Sequence, residues 1–241
     1  MKIDYAIVGS NLNPLYIDFW PIVSKVWKTV FNITPVLALI CDEDSDLIED
    51  EYGLVKKFKS IDGIDTGLQS QIVRFYVTKF LKGNCVISDI DMLPLSRKYF
   101  INQVENFHDN KFYVMSADNG ECLNNKEYPM CYNIANSIKF NEILDMNSTW
   151  EEFVNQLHNM NEGWATDQKF LFKKIEEYIN KEEIVLMSRG WTFGPANYRI
   201  DRLFWNYNSD LVNNDYYIDA HLLRPYNQYK EEVDKLADLL K

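Results

Sequence analysis

The chain has 241 residues and a formal net charge of −11 at pH 7, and 46% of its residues are hydrophobic. That content is ample for one sizeable globular core. The negative charge argues against nucleic acid and anionic membrane surfaces as partners, because both require a basic face. We also expect no membrane span, since the sequence has no run of about 20 apolar residues.

Cysteine usage and the amino-terminal segment suggest a cytoplasmic protein. The four cysteines show no CxxC spacing, which favours reduced thiols packed in the core. The segment "MKIDYAIVGS" lacks the apolar stretch of a signal peptide. No repeat or flexible linker divides the sequence, so we expect a single domain over residues 1–241. The oligomeric state stays open.

The first third of the chain alternates predicted strands and helices. "IDYAIVGS" predicts a buried strand, and Asn13 and Pro14 then mark the start of a helix to about Phe31, with a kink or a later start at Pro21. "TPVLALICDE" and "LVKKFKSI" predict the second and third strands. "GLQSQIVRFYVTKFLKG" predicts a helix that ends at Gly83, and "CVISDID" predicts a fourth strand.

The later segments are less regular. "KFYVMSADNG" and "EIVLMSRGW" predict strands, whereas "DQKFLFKKIEEYINK" and "YKEEVDKLADLL" predict helices. Residues 190–226 are aromatic and without periodicity, as in loops shaped around a ligand. Strands with continuous apolar runs and little alternation, separated by helices, predict an α/β fold, in which a mixed but mostly parallel sheet is covered on both faces. Ligands of such folds bind at the carboxyl ends of the strands.

Two aspartates close the fourth predicted strand, in "SDID". In an extended strand Asp89 and Asp91 point the same way, while Ile90 faces the core. Paired carboxylates suit Mg²⁺ or Mn²⁺ bound together with nucleotide phosphates. The alternative is that the pair only ends the strand and begins a turn towards Pro94.

The helix before that strand carries a narrow polar stripe. Gln71, Arg74 and Thr78 follow one another at spacings of three and four in an otherwise apolar helix. A buried arginine needs an anion or hydrogen-bond acceptors. Arg74 therefore either forms a structural ion pair with an acid such as Asp89 or helps to hold a ligand.

These segments resemble a known family. A helix with an inward arginine, followed by a strand ending in Asp-x-Asp, resembles the nucleotide-sugar glycosyltransferases of the GT-A fold, and the later segments are most similar to glycosyltransferase family 8. "MCYNIANSIKF" is similar to that family's Asn-Ala-Gly segment, with Asn133 at the asparagine. "WATDQKFLF" resembles its Asp-Gln helix start, and "AHLLRPY" resembles a shortened form of its carboxy-terminal His-Lys-Pro-Trp motif.

The resemblance implies a metal-dependent transferase that moves a sugar from a nucleotide diphosphate, most simply a UDP-sugar, to a carbohydrate hydroxyl. Residues 1–100 would form the nucleotide-binding half and residues 101–241 the acceptor-binding half. Asp89, Asp91 and His221 would hold Mn²⁺ or Mg²⁺. The remaining assignments are catalytic roles for Asp167, Gln168 and Asn133, and donor binding by Ser10, Asn11, Asp42, Gln71, Arg74, Asp89 and Arg224.

Alternatives remain for several of these residues and for the function. Asp167 could act as a base, position the sugar, or only cap its helix. Arg199 and Arg202 could neutralise a diphosphate or form ion pairs, and Trp164 and Trp191 could stack on sugars or belong to the core.

The other functions considered are a sugar nucleotidyltransferase and a non-catalytic carbohydrate-binding module. The first is disfavoured because "GSNLNPLYIDF" has one glycine and no basic residue to hold a triphosphate. A surface lectin site would not need the buried Gln71 and Arg74 stripe.

Overall fold

The structure is a computed structural model that describes residues 1–42, 51–117, 123–188 and 199–240. Cys122 and Trp191 lie outside the described residues. The strands are β1 (Tyr5–Asn11), β2 (Thr34–Ile40), β3 (Leu54–Phe58), β4 (Asn84–Ile87), β5 (Met92–Pro94), β6 (Phe112–Val114), β7 (Asn133–Asn136), β8 (Ile184–Leu186), β9 (Arg199–Ile200) and β10 (Asp219–His221). The helices are α1 (Pro14–Ile17), α2 (Trp20–Thr29), α3 (Thr66–Tyr76), α4 (Ser137–Leu144), α5 (Trp150–His158), α6 (Thr166–Glu177), α7 (Ser209–Asn213) and α8 (Lys230–Ala237).

Seven strands form the main sheet, in the order β3-β2-β1-β4-β7-β6-β8. Neighbouring strands run parallel except at β7, which is antiparallel to both β4 and β6. The predicted α/β fold with a mostly parallel sheet is thereby confirmed. No strand was predicted at the position of β7, the antiparallel member of this mixed sheet.

Helices cover both faces of this sheet. The strand β2 is buried from Pro35 to Ile40, and its side chains alternate between two apolar clusters. One cluster joins the sheet to α2 and α8, and the other joins it to α3, α4, α5 and α6. Burial on both faces explains the continuous apolar sequence of this central strand. In the described part of the chain, no helix is long and apolar enough to cross a bilayer.

A second, three-stranded sheet has the order β5-β10-β9. It begins directly after the two aspartates, because β5 follows the turn at residues 90–91 and pairs antiparallel with β10. His221 lies opposite Met92 in this pairing, and Leu222 N donates to the Asp91 carbonyl oxygen at 2.9 Å. This small sheet therefore brings the carboxy-terminal segment to the end of β4.

A glycine allows α3 to lie against β1. A Cβ atom on Gly9 would lie 2.1 Å from the Ser70 carbonyl oxygen and 2.9 Å from Cγ of Arg74. Any larger residue would force the helix away from the strand. Gly9 is thus required by the close approach that places Arg74 over the end of the sheet.

The later helix start expected at Pro21 is confirmed, whereas the fourth predicted strand ends earlier than expected. The segment from Asn13 to Phe31 forms two helices, α1 and α2, and Pro21 occupies the first turn of α2, where its missing N–H is tolerated. The strand β4 ends at Ile87, and Met92 N donates to the Asp89 carbonyl oxygen at 3.2 Å. Asp89 and Asp91 therefore flank a turn rather than continuing an extended strand.

Candidate active site

A cavity of about 1010 Å³ opens at the carboxyl ends of β1 and β4. This is the edge at which ligands of parallel α/β sheets are expected. The residues that line it come from both halves of the chain and include most of those singled out in the sequence: Ser10, Asn11, Gln71, Arg74, Asp89, Asp91, Trp164, Asp167, Gln168, Arg199, His221 and Arg224.

Arg74 is the central residue of this cavity. Its Nη2 lies 2.6 Å from Oδ2 of Asp167, and its Nη1 contacts Oδ1 of Asp89. Nη1 also donates to the Ser88 carbonyl oxygen at 3.1 Å, and Nε donates to the Gln71 carbonyl oxygen at 2.9 Å. All three guanidinium nitrogens thus have partners, and the buried charge is compensated by two carboxylates.

Burial acts in opposite directions on the pKa values of Asp167 and Arg74. It raises the pKa of Asp167 to about 6, although the Arg74 charge acts to lower it. For Arg74, burial acts to lower the pKa, but the charges of Asp89 and Asp167 outweigh it and raise the pKa. Asp167 therefore changes its protonation state close to neutral pH, whereas Arg74 stays charged.

Asp89 is shared between Arg74 and a thiol. The Cys131 Sγ–H donates to Oδ2 of Asp89 at 2.9 Å, and Cys131 lines the cavity. Burial, with the charge of Asp89, raises the pKa of the thiol well above its usual value. Cys131 is therefore a neutral donor that orients the carboxylate. The sequence indicated only a packed thiol, because nothing in its spacing marks it as a partner of Asp89.

Asp91 faces three basic side chains through its Oδ2 atom. Arg202 Nη2 contacts this oxygen, His221 Nε2 lies 3.5 Å away, and Arg224 Nη1 lies 4.0 Å away. Burial acts to raise the pKa of Asp91, but His221 and Arg202 outweigh it and lower the pKa to about 2. Asp91 is consequently ionised throughout the physiological range.

Arg224 and Arg199 have different surroundings, although both line the cavity. Arg224 is exposed, and Tyr16, which the sequence analysis did not single out, holds it through a hydrogen bond of 2.7 Å and by its ring. Arg199 makes two hydrogen bonds of 2.8 Å to Asp219, which is fully buried and also accepts from Tyr132. Arg199 thus belongs to a structural ion pair, whereas the exposed guanidinium of Arg224 can meet a ligand at the mouth of the cavity.

Three further residues predicted to bind the donor, Ser10, Asn11 and Gln71, line the cavity. Ser10 is buried at the cavity and donates to the Asn11 carbonyl oxygen at 2.8 Å, and Asn11 donates to Thr66 at 3.0 Å. Gln71 donates to the Trp164 carbonyl oxygen at 3.3 Å across the cavity.

Two predicted residues do not line the cavity. Asp42 is exposed and lies outside the lining. Asn133 is fully buried behind it and donates to the carbonyl oxygens of Pro129 and Met130 at 3.0 and 3.1 Å. Its amide therefore supports the cavity wall that carries Cys131.

The residues predicted to hold a metal suit Mn²⁺ or Mg²⁺ by their chemistry. Two carboxylates and an imidazole line one cavity, and Oδ2 of Asp91 and Nε2 of His221 face each other at 3.5 Å. Each carboxylate is also paired with an arginine. Within the described ranges, no three potential ligands are grouped closely enough to form a metal centre. A cation would therefore have to share or displace an arginine.

Comparison with known proteins gives matches in structure only. No protein-family model matches the chain, and no curated protein matches it by sequence. The glycosyltransferase GlyE of Streptococcus pneumoniae TIGR4 superposes with a TM-score of 0.55 and 11% identity over 98% of the chain. The galactosyltransferase LgtC, solved with donor and acceptor sugar analogues, superposes with a TM-score of 0.53 and 11% identity over 99% of the chain.

The chain has the fold of these glycosyltransferases. It spans 60% of the GlyE structure and 96% of the LgtC structure. The GT-A fold expected from the motifs is thereby confirmed for the chain. At this level of identity the likeness concerns the fold, so the assignment of individual residues depends on the geometry of the cavity itself.

Proposed function

We propose that the protein is a glycosyltransferase that moves a sugar from a nucleotide diphosphate to a hydroxyl of a carbohydrate acceptor, with a UDP-sugar as the first donor to test. One observation carries this proposal. The buried Arg74 bridges Asp89 and Asp167 at the floor of a cavity at the carboxyl ends of the strands. The glycosyltransferase fold of GlyE and LgtC adds support.

The basic side chains at the cavity suit the donor diphosphate. Arg224 and His221 lie beside Asp91 and line the cavity, and a guanidinium binds phosphate oxygens through charge-assisted hydrogen bonds. A Mn²⁺ or Mg²⁺ ion held by Asp89, Asp91 and His221 would add charge that stabilises the leaving nucleotide diphosphate.

The deeper part of the cavity suits the transferred sugar. Asp167 and Gln71 present a carboxylate and an amide beside Arg74, and such groups bind sugar hydroxyls. Above the pKa of about 6, the Asp167 carboxylate can accept a proton or stabilise positive charge on the sugar. Arg74 and Cys131 both contact Asp89, so they fix the orientation of its carboxylate at the cavity.

The first experiment measures donor binding and turnover separately. A ligand that binds only the native state raises the melting temperature. We expect UDP, or another nucleoside diphosphate such as GDP, to raise the Tm more with Mn²⁺ than with chelator. Asp91→Asn should lose this difference, whereas Asp62→Asn, an exposed aspartate outside the cavity, should retain it.

Turnover distinguishes the proposal from its rivals. Release of nucleoside diphosphate from a nucleotide sugar, with Asp167→Asn inactive, supports a glycosyltransferase. Release of pyrophosphate from a nucleoside triphosphate and a sugar phosphate would identify a nucleotidyltransferase instead. Glycan binding without any nucleotide binding would identify a carbohydrate-binding module and contradict the proposal.

A further inference from the structure

Arg202 is paired with Asp91, the carboxylate at which a divalent cation would bind. Its Nη2 contacts Oδ2 of Asp91, the same oxygen that faces His221 at 3.5 Å and Arg224 at 4.0 Å. Only 11% of the Arg202 side chain is exposed. The arginine therefore supplies the positive charge that this buried carboxylate needs in the absence of a metal.

Most of the donors of Arg202 are unused in this position. Its Nε and Nη1 atoms are buried and have no hydrogen-bond partner among residues 1–42, 51–117, 123–188 and 199–240. Arg74 and Arg199 differ, because their guanidinium groups make at least two hydrogen bonds each. A buried N–H without an acceptor is unfavourable. Arg202 is thus held mainly by one charge contact.

The turn that carries Arg202 has little side-chain packing of its own, although Ile200 before it is buried and Trp205 after it packs against the core. It is a single 3-10 turn, Arg202–Phe204. Leu203 and Phe204 are 79% and 80% exposed, so neither side chain anchors the turn in the core. Reorientation of the Arg202 side chain therefore costs little buried apolar surface.

We propose that Arg202 is an internal counter-ion of Asp91, which a divalent cation displaces and which then pairs with the donor diphosphate. The identity of the ligands rests on the function proposed above. A guanidinium and a divalent cation repel each other strongly when both contact one carboxylate oxygen. Once displaced, the planar guanidinium can donate two parallel hydrogen bonds to phosphate oxygens.

This arrangement leaves no buried charge unpaired in either state. Without a metal, Asp91 is neutralised by Arg202; with metal and diphosphate, Asp91 faces the metal and Arg202 faces the phosphate. His221 also has a carboxylate neighbour on its other ring nitrogen, because Oδ2 of Asp201 lies 3.7 Å from Nδ1. Arg202 is consequently a positioning residue for donor binding rather than part of the fold.

The first test measures Mn²⁺ binding without nucleotide, by the electron paramagnetic resonance signal of the free ion. Arg202→Gln removes the competing charge and should bind Mn²⁺ about ten-fold more tightly than the wild type. Arg202→Lys should fall between the two. Arg97→Gln removes an exposed charge outside the cavity and should leave Mn²⁺ affinity close to that of the wild type.

The second test measures inorganic pyrophosphate binding in the presence of Mg²⁺, by titration calorimetry. Arg202→Gln should bind pyrophosphate about ten-fold more weakly, because it lacks the guanidinium that meets the phosphates. Opposite changes in metal and pyrophosphate affinity are the signature of the proposal. A purely structural arginine would leave both affinities unchanged or weaken both together, and either result would overturn it.

A double-mutant cycle tests whether Arg202 affects Mn²⁺ binding directly through Asp91. In an Asp91→Asn background, Arg202→Gln should no longer increase Mn²⁺ affinity, since the shared carboxylate is gone. An equal increase in both backgrounds would contradict a direct competition. None of these measurements requires sugar transfer. Failure to find a transferase activity therefore bears on the proposed function, and failure of the opposite affinity changes bears on the role of Arg202.

Discussion

Arg74 and Asp167 form a buried ion pair of 2.6 Å that joins α3, in the amino-terminal half of the chain, to the first turn of α6. The pair lies at the floor of the cavity, and Asp89 contacts the same guanidinium. One arginine thus organises two carboxylates that lie 78 residues apart in sequence. Its removal should affect both stability and activity.

Arg74→Gln should destabilise the protein by about 3 kcal/mol at pH 8, because it leaves two carboxylates without their buried cation. The loss should be smaller at pH 5, where Asp167 can take up a proton and become neutral. Urea unfolding at both pH values measures this difference. Arg97→Gln, which removes an exposed charge outside the cavity, is the control. An equal loss at both pH values would show that Asp167 does not titrate as described.

The pH profile should show opposite trends for activity and for the stability contributed by Asp167. The pKa of Asp167 is about 6 in the folded protein, above the value of about 3.9 for an unperturbed aspartate. Its contribution to stability is therefore fully present below about pH 4 and is lost as the pH rises through about 6. Transfer, which needs the carboxylate, should instead increase as the pH rises through about 6.

Asp167→Asn tests this assignment. The variant should lack the stability change over that pH window and should have little activity at any pH. Asp91 does not contribute there, because its pKa of about 2 keeps it ionised. Urea midpoints and kcat/KM, both measured against pH, check the two trends. A stability profile in Asp167→Asn that matches the wild type would contradict the assignment.

Gly9→Ala should destabilise the protein by about 2 kcal/mol or more, since the added Cβ would lie 2.1 Å from a backbone oxygen of α3. Gly63→Ala is the matched control. Its Cβ meets no atom within 4 Å, and only its φ of +78° opposes the substitution, at a cost of about 1 kcal/mol. Thermal unfolding of both variants measures the difference. Donor binding should be lost only in Gly9→Ala, because the displaced helix carries Arg74.

Arg199→Gln should destabilise the protein by about 3 kcal/mol, because it leaves the fully buried Asp219 without its cation. Arg202→Gln should have a smaller effect on unfolding, since two of the Arg202 nitrogens have no partner in the part of the chain described here. Chemical denaturation of the two variants compares them directly. Equal destabilisation would indicate that Arg202 has a structural role like that of Arg199.

Trp164→Ala should weaken acceptor use without changing donor binding. The indole is 69% exposed and lines the cavity, and its backbone oxygen accepts from Gln71. An exposed aromatic ring at such a mouth can stack on the apolar face of a sugar. We expect an increased KM for acceptor, an unchanged Tm increase with nucleoside diphosphate, and a stability change within about 0.5 kcal/mol.

Much of the first 90 residues could be predicted from the sequence, because local patterns determine the structure there. The central residues of β1, β2 and β4 are apolar and buried, and α3 carries the predicted buried Arg74. The turn at Asp89–Asp91 was only the alternative interpretation, because the local sequence is compatible with both an extended strand and a turn. The pairing of β5 with β10 forces the turn, and that pairing is non-local.

The sequence alone determined the α/β class, the buried arginine and the carboxylates near the end of β4, because burial periodicity and charge in apolar surroundings are local properties. Only the tertiary structure decided which charges meet. Arg74 lies between Asp89 and Asp167, Arg199 meets Asp219, and Arg202, His221 and Arg224 converge on Asp91. These contacts join residues up to 133 positions apart, and they depend on helix and strand packing that no local pattern encodes.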